Sequence, residues 1–247
     1  MNFNLCFFLF IGLIFFSCKK KEQKDAAEME KVVESPYTES TSKVYSGSLY
    51  SGTFTMVATD GKVSARQVLQ AFFSKSVTSY VNPKLAVRIN TIKYNGMNLN
   101  YTSDSVYGKG SNVQLANEFW EIKGANEIPS FNYRSLGSAP GWDSVILPDT
   151  IFCKKGFSVK FNGVANVTEG SFSLIPCLGV SSENLTRTIL NGDTVFSFNA
   201  DNCSVLSGCE ATSIYIGITQ SKVLNFYGKD FVFNKSQNFY KDVVIIH

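Results

Sequence analysis

The sequence contains a single histidine, and it is residue 247 of 247. A Ser-His-Asp or Cys-His centre would have to be assembled on a chain terminus, where backbone order is hardest to hold, so those nucleophilic classes are set aside. No Gly-x-Gly-x-x-Gly follows a strand-like run and no P-loop is present, which removes the backbone cradles of nucleotide chemistry. Cys-x-x-Cys pairs are absent, so zinc has no ligand spacing to use. Asn191-Gly192-Asp193 and Ala200-Asp201-Asn202 are Asp-bearing turns, but no loop repeats the ligand spacing of a calcium site. Charge is sparse and balanced, with 23 Lys+Arg against 20 Asp+Glu and a net of +3. Without a basic stripe, recognition helix or zinc finger, nucleic acid is excluded as a partner. The expectation is a protein with no cofactor, no metal and no catalytic residue. Ser40-Thr41-Ser42-Lys43 has the spacing of a Ser-Lys nucleophile, but nothing around it would bury Lys43, and a solvated linker is the better reading.

What is there begins at the amino end. Leu5 to Phe16 is apolar with Gly12 as its only break. That is short of the roughly 20 residues of a membrane-spanning helix and matches the core of a signal peptide. Ser17-Cys18 follows, then Lys19-Lys20-Lys21. The arrangement resembles a bacterial lipoprotein signal, which implies removal of residues 1–17 and lipid, palmitate among the acyl chains, on the Cys18 thiol. One acyl chain gives only marginal membrane binding, at about 0.8 kcal/mol per buried CH2, whereas several chains anchor durably. The resemblance places the chain in the cell envelope on the outer membrane, periplasmic or surface-exposed, with the membrane as partner through that lipid. Residues 18–48 are charged and then rich in Ser and Thr, with little to bury, and read as a flexible tether.

Cys6 goes with the signal. Cys153, Cys177, Cys203 and Cys209 remain, and outside the cytosol four cysteines suggest two disulfides in one of three pairings. Cys203–Cys209 and Cys153–Cys177 are the favoured pairs; four buried free thiols are the alternative.

The chain has 21 Phe and 11 Tyr, which with Val, Ile and Thr favour strands. Short alternating segments recur between Gly, Asn and Pro turns, the spacing of β-sandwiches. Val68, Leu69, Phe72, Phe73 and Val77 approximate a helical stripe, so one short helix is expected over 64–80. Asn95-Gly96 suits a two-residue type I′ hairpin turn, which puts Ile92, Tyr94, Met97 and Leu99 on one face. A boundary near 136–144 divides the folded part into an N-terminal β domain, 49–140, and a C-terminal immunoglobulin-like sandwich, 141–247. The segments from Phe119 to Ser135, Ser144 to Val167 and Gly228 to Ile246 resemble the bodies of uncharacterised Gram-negative envelope lipoproteins with immunoglobulin-like sandwiches. That resemblance implies a fold and carries no functional residue.

Three functional readings follow. The first is a non-enzymatic envelope lipoprotein with a binding or structural role, engaging a glycan or an envelope protein. The second is a surface glycan-binding accessory protein, with Trp120, Tyr133 and Trp142 as an aromatic platform; because large aromatics mostly bury, a core place for Trp120 and a loop plug for Trp142 are the competing and favoured reading. The third is a carboxylate-only glycoside hydrolase using Glu118, Glu121 or Glu127, but strand alternation turns Glu118 and Glu121 to opposite sides. Finally, Asp-Ser/Thr-apolar recurs at 104–106, 143–145, 149–151 and 193–195. The triplet resembles the O-glycosylation acceptor of some Gram-negative envelope proteins, which makes Ser105, Ser144, Thr150 and Thr194 candidate acceptors.

Overall fold

The last two strands of the chain are 16 and 18 residues long, about three times the usual length, and the remaining strands are arranged along them. The structure, a computed structural model, describes residues 34–77, 86–102, 106–111, 118–135, 138–175, 177 and 185–247. Cys18, the signal and Ser105 lie outside the described residues. In chain order the strands are β1 (Thr38–Glu39), β2 (Tyr45–Val57), β3 (Val63–Val77), β4 (Thr91–Tyr94), β5 (Met97–Asn98), β6 (Asn100–Tyr101), β7 (Tyr107–Ser111), β8 (Phe119–Lys123) and β9 (Phe131–Arg134). There follow β10 (Ser144–Ile146), β11 (Thr150–Phe152), β12 (Phe157–Asn162), β13 (Glu169–Ile175), β14 (Leu185–Thr188), β15 (Val195–Phe198), β16 (Ala211–Phe226) and β17 (Lys229–Ile246). A 3-10 turn, Asn202–Leu206, precedes β16.

β16 and β17 form one hairpin, paired without interruption from Ala211↔Val244 to Phe226↔Lys229. Its turn, Tyr227-Gly228, has positive φ at both positions, 54° and 80°, the geometry that matches the twist of the flanking strands. The outer edge of β16 is shared by antiparallel β13 and β1. The outer edge of β17 is shared by two parallel partners, β2 over Phe231–Lys241 and β11 over Val244–Ile246. β2 carries on through β3, β7 and β6, and β13 carries on to β14, so one long sheet runs the length of the body.

Two smaller sheets complete the fold. The order β5-β4-β8-β9 forms one, and β10-β12-β15 the other. The first encloses a core with Leu49, Phe73, Tyr94, Trp120, Phe131, Tyr133, Phe226 and Phe231. The second encloses Ile151, Val159, Phe172, Leu174, Ile214, Ile216, Ile218 and Val243. Each fully buried side chain of this size stabilises by about 1.5–3 kcal/mol. Strand alternation puts Ile214, Ile216, Ile218, Leu224 and Phe226 on one face of β16, so both cores lie along the same face of the hairpin. Between them on that face stand Gln220 and Lys222 of β16 and Lys235 and Gln237 of β17, which form a polar waist.

The helix expected over 64–80 is a strand. β3 pairs with β2 from Val57↔Val63 to Tyr45↔Val77, and residues 78–80 lie outside the described residues. Leu69, Ala71 and Phe73 face the first core, while Phe72 is buried on the opposite side. The outer face of β3 is half-buried at Val68 and buried at Phe72 although Arg66 and Gln70 are exposed, which produces the doublets Val68-Leu69 and Phe72-Phe73, and doublets four residues apart imitate a helical stripe. The tether reading also meets structure. β1 and the start of β2 fall within residues 38–48, and Ser46 is buried. The Asn95-Gly96 turn has φ of 47° and 78°, with Tyr94 paired to Met97.

Candidate functional site

The aromatic residues named from sequence are not a platform. Trp120 and Tyr133 are cross-strand partners on β8 and β9, but both point into the first core and are 2% and 3% exposed. Trp120 packs edge-on to Tyr94 with ring centroids 4.8 Å apart, and Tyr133 packs on Phe233 at 4.4 Å. Trp142 is half-buried against the second core. Burying these rings removes more apolar area from water than a platform would, and the sequence places them on core-facing positions of their strands.

The carboxylates do not converge either. Glu118 turns inward, where its Oε1 accepts from Ser51 Oγ and its Oε2 lies 3.5 Å from Lys235 Nζ. Both ends of that ion pair are nearly covered, 14% and 13% exposed. Tyr94 and Gln67 border the same cluster; the Tyr94 hydroxyl and Gln67 Oε1 are buried there without meeting hydrogen-bond geometry. Burial, and then the Glu118 charge, push the Tyr94 phenol well above its ordinary value. Glu121 is half-buried on the other face of β8, between Lys93 and Asn132 in register. Glu127 lines a separate hollow with Arg88 and Asn126.

The concave surface of most interest lies on the opposite, open face of the long sheet. The β2–β3 turn projects there beside β17 and leaves two adjoining hollows of about 330 Å³ each, within the lower range for small-ligand sites. Met56, Val63, Ser64 and Tyr240 line one, Thr59, Ala211 and Ser213 line the other, and Asp242 borders both. Ser213 Oγ donates to Asp242 Oδ1 at 2.7 Å. Met56 and Val63 are 51% and 66% exposed, so apolar surface, a tyrosine ring and a carboxylate–hydroxyl pair share one solvent-facing groove.

Beyond the hollows, the same open face carries a hydrogen-bonded row of polar side chains. Tyr215 and Tyr240 are cross-strand partners with rings 4.8 Å apart. Tyr215 donates to Asn238 Oδ1 at 2.9 Å, Asn238 Nδ2 donates to Ser236 Oγ at 2.8 Å, and Tyr50 meets the same Ser236. Each tyrosine lies across a glycine two residues on: a Cβ at Gly217 would strike the Tyr215 hydroxyl and one at Gly52 the Tyr50 hydroxyl. Burial, and then the neighbouring Tyr240, raise the Tyr215 phenol above its ordinary value, so it remains a donor. Sequence reasoning missed this site. No local pattern marks it; the Tyr-x-Gly repeat of Tyr50-Ser51-Gly52 and Tyr215-Ile216-Gly217 marks only the neighbouring row, where a ring covers a bare stretch of backbone.

The other named residues are spread over the second region. Ser144 and Thr194 are exposed and Thr150 is half-buried. Ser144 pairs with Asn162, and the Thr194 carbonyl accepts from the adjacent Phe161 N–H, so these two candidate acceptors flank the same end of β12. The favoured cysteine pairing is corrected: Cys177 and Cys209 are bonded, with Cα atoms 5.7 Å apart, and Cys153 and Cys203 are free. The 3-10 turn aims Cys203 into the core and brings Cys209 to the end of β13, so the short Cys203–Cys209 loop is not the one closed. Among the described residues no group of three His, Cys, Asp or Glu side chains is placed to hold a metal, and no helix is long and apolar enough to cross a membrane. No protein-family model, curated protein or solved structure matches the chain.

Proposed function

We propose that the chain is a lipid-anchored protein of the cell envelope, held at Cys18, whose β body has a binding role and not a catalytic one. The signal-like run ending in Ser17-Cys18 carries the location. The outward-facing groove beside Tyr240 and Asp242 carries the binding role. The divergence of Glu118 and Glu121 to opposite faces of one strand favours it over a carboxylate-only hydrolase, which needs two carboxylates across one sugar. The second region is read as an immunoglobulin-like sandwich. β10, β12 and β15 in one sheet against β14-β13-β16-β17 with β11 in the other is a pairing order in keeping with that class. The test is protease shaving of intact cells, with Cys18→Ala and a periplasmic marker as controls. Cleavage with the marker intact means an outward-facing protein; protection with membrane retention means a periplasmic one. Release of neither form from the membrane by Cys18→Ala would reject the lipid anchor.

A second reading, a glycan-binding accessory protein, is favoured by the groove's chemistry. A sugar presents an apolar C–H face to an aromatic ring and hydroxyl pairs to a carboxylate. Tyr240 and Asp242 supply both within one hollow. On a broad glycan panel, binding by the full chain that is lost in Tyr240→Ala and Asp242→Asn supports it. No response of the unaltered chain removes it.

A further inference from the structure

Four cysteines gather at the second core. Cys203 and Cys209 are within it, and Cys153 and Cys177 pack against it. The Cys177–Cys209 bridge accounts for one pair. The two remaining thiols, Cys153 and Cys203, come from distant parts of the chain and meet at this same core, Cys203 inside it and Cys153 packed against it. Backbone geometry brings them there. β11 runs parallel to the end of β17, Phe152 opposite Ile246, and the Cys153 N–H continues that ladder by donating to the Ile246 carbonyl at 2.9 Å. Cys203 is fixed by the 3-10 turn, its N–H donating to Ala200 O at 3.1 Å. A second turn just after it leads to Cys209, whose N–H donates to Leu206 O at 2.9 Å. The loop before β16 therefore offers one cysteine to the end of β11 and the other to the end of β13.

We propose that Cys153 and Cys203 are joined as a second disulfide in the mature protein, which fastens the loop before β16 to two different strands. The inference rests on the envelope reading for its oxidant, a disulfide of an oxidoreductase or of glutathione. Cys153 is half-buried and Cys203 is 2% exposed, which sets the order of events. Cys153 gives its proton to solvent and its thiolate attacks a sulfur of the oxidant, whose S–S bond breaks to release one thiolate. Cys203 then loses its proton and attacks the Cys153 sulfur, forming the intramolecular bond and expelling the oxidant's second sulfur. The two protein thiols lose two electrons and the oxidant becomes two thiols. Cys203 is suited to the second step and not the first because it is buried, out of reach of an external oxidant but beside Cys153; burial and then the neighbouring Cys153 also push its thiol up to about 11, which keeps it protonated until then.

The experiment is alkylation of the full chain from the envelope with N-ethylmaleimide, under denaturing, non-reducing conditions, followed by mass spectrometry. Chymotryptic cleavage after Leu206 separates Cys203 from Cys209, so the two bridges are read apart. The expected result is no adduct at these four positions, a Cys153–Cys203 cross-linked peptide, and a mass about 4 Da below the reduced chain, roughly 2 Da for each bridge. Adducts at both Cys153 and Cys203 with Cys177–Cys209 intact would overturn the proposal. Adducts at all four reject the oxidising compartment instead. The pairing is then judged on the purified chain in a glutathione redox buffer, where closure of Cys153–Cys203 upholds it and any other bridge, or both thiols left open beside Cys177–Cys209, rejects it. In Cys153→Ser, Cys203 gains one adduct on unfolding while Cys177–Cys209 remains.

Discussion

Along one face of the β16–β17 hairpin, the first core is richer in rings and the second richer in branched aliphatics, which surround a smaller stack of Phe157, Phe198 and Phe172. Phe131 stacks on Phe226 at 4.3 Å and tilts against Phe231 at 4.7 Å, while Ile151, Ile214, Ile216, Ile218 and Val243 fill the corresponding place in the second core. The first core contains no cysteine; the second is crossed by a disulfide and holds two further thiols. Large rings remove much apolar area per residue and add edge-to-face attraction. Small branched side chains remove less, and a covalent link that limits the unfolded chain compensates. The two halves thus reach stability by different means on one shared sheet.

The two tryptophans allow the halves to be followed separately, since Trp120 lies in the first core and Trp142 packs on the second. The largest expected effect is from Trp120→Ala, a loss of about 3–5 kcal/mol in urea unfolding. The remaining fluorescence, from Trp142, should move with it because residues 211–226 and 229–246 belong to both halves. A Trp142 transition left where it was would show that the halves unfold independently. Next is Cys177→Ser, expected to cost about 2–5 kcal/mol. The Trp120 signal should move with that of Trp142, because the two halves share the hairpin, and a Trp120 transition left in place would show that the disulfide acts on the second half alone.

A smaller loss tests the waist. Glu118→Gln keeps a partner for Ser51 but leaves Lys235 without its counter-charge in a nearly covered place. The expected cost is about 2 kcal/mol, the worth of a hydrogen bond to a charged group. Lys235→Met should then be tolerated better in the Glu118→Gln background than alone. Additive costs would mean that the pair does not couple.

How much of this was legible differs between the two halves. The β class, the Asn95-Gly96 hairpin and the facing of Glu118 and Glu121 to opposite sides followed from local rules of alternation and turn chemistry. β3 was misread because apolar Val68 and Phe72 on its outer face, beside Leu69 and Phe73 on the inner one, blurred the alternation that identifies a strand. The cysteine pairing was misread because loop length favours the short Cys203–Cys209 closure, and only the 3-10 turn, a tertiary feature, points the two side chains apart. The groove was invisible for a related reason. Tyr240, Asp242, Ser213 and Met56 come from three strands, and their neighbourhood depends on β2 lying parallel to β17, a pairing between residues nearly two hundred positions apart that no local pattern encodes.

The smallest predicted effect separates the two ion pairs. Lys241 Nζ donates to Asp149 Oδ1 at 2.6 Å and clasps the start of β11 to β17. The hydrogen bond, and then the lysine's charge, hold the Asp149 carboxyl below its ordinary 3.8. A carboxyl depressed by folding adds stability that is fully present above its unfolded value and disappears as pH falls through the lower folded value. The contribution is small because Asp149 is 93% exposed. Asp149→Asn should therefore soften the acid-side decline of stability between about pH 5 and pH 2 and leave the neutral plateau nearly unchanged. Asp60, depressed for the same reason by Lys62 on the β2–β3 turn, adds to that limb without touching β11. Salt distinguishes the pairs: about 1 M shortens the screening length to roughly 3 Å. It should abolish the difference between Asp149→Asn and the parent while the Glu118→Gln cost persists, because water and ions reach the clasp and not the waist. Equal salt sensitivity of the two would mean that the waist is open to solvent and that the two cores are not sealed against each other.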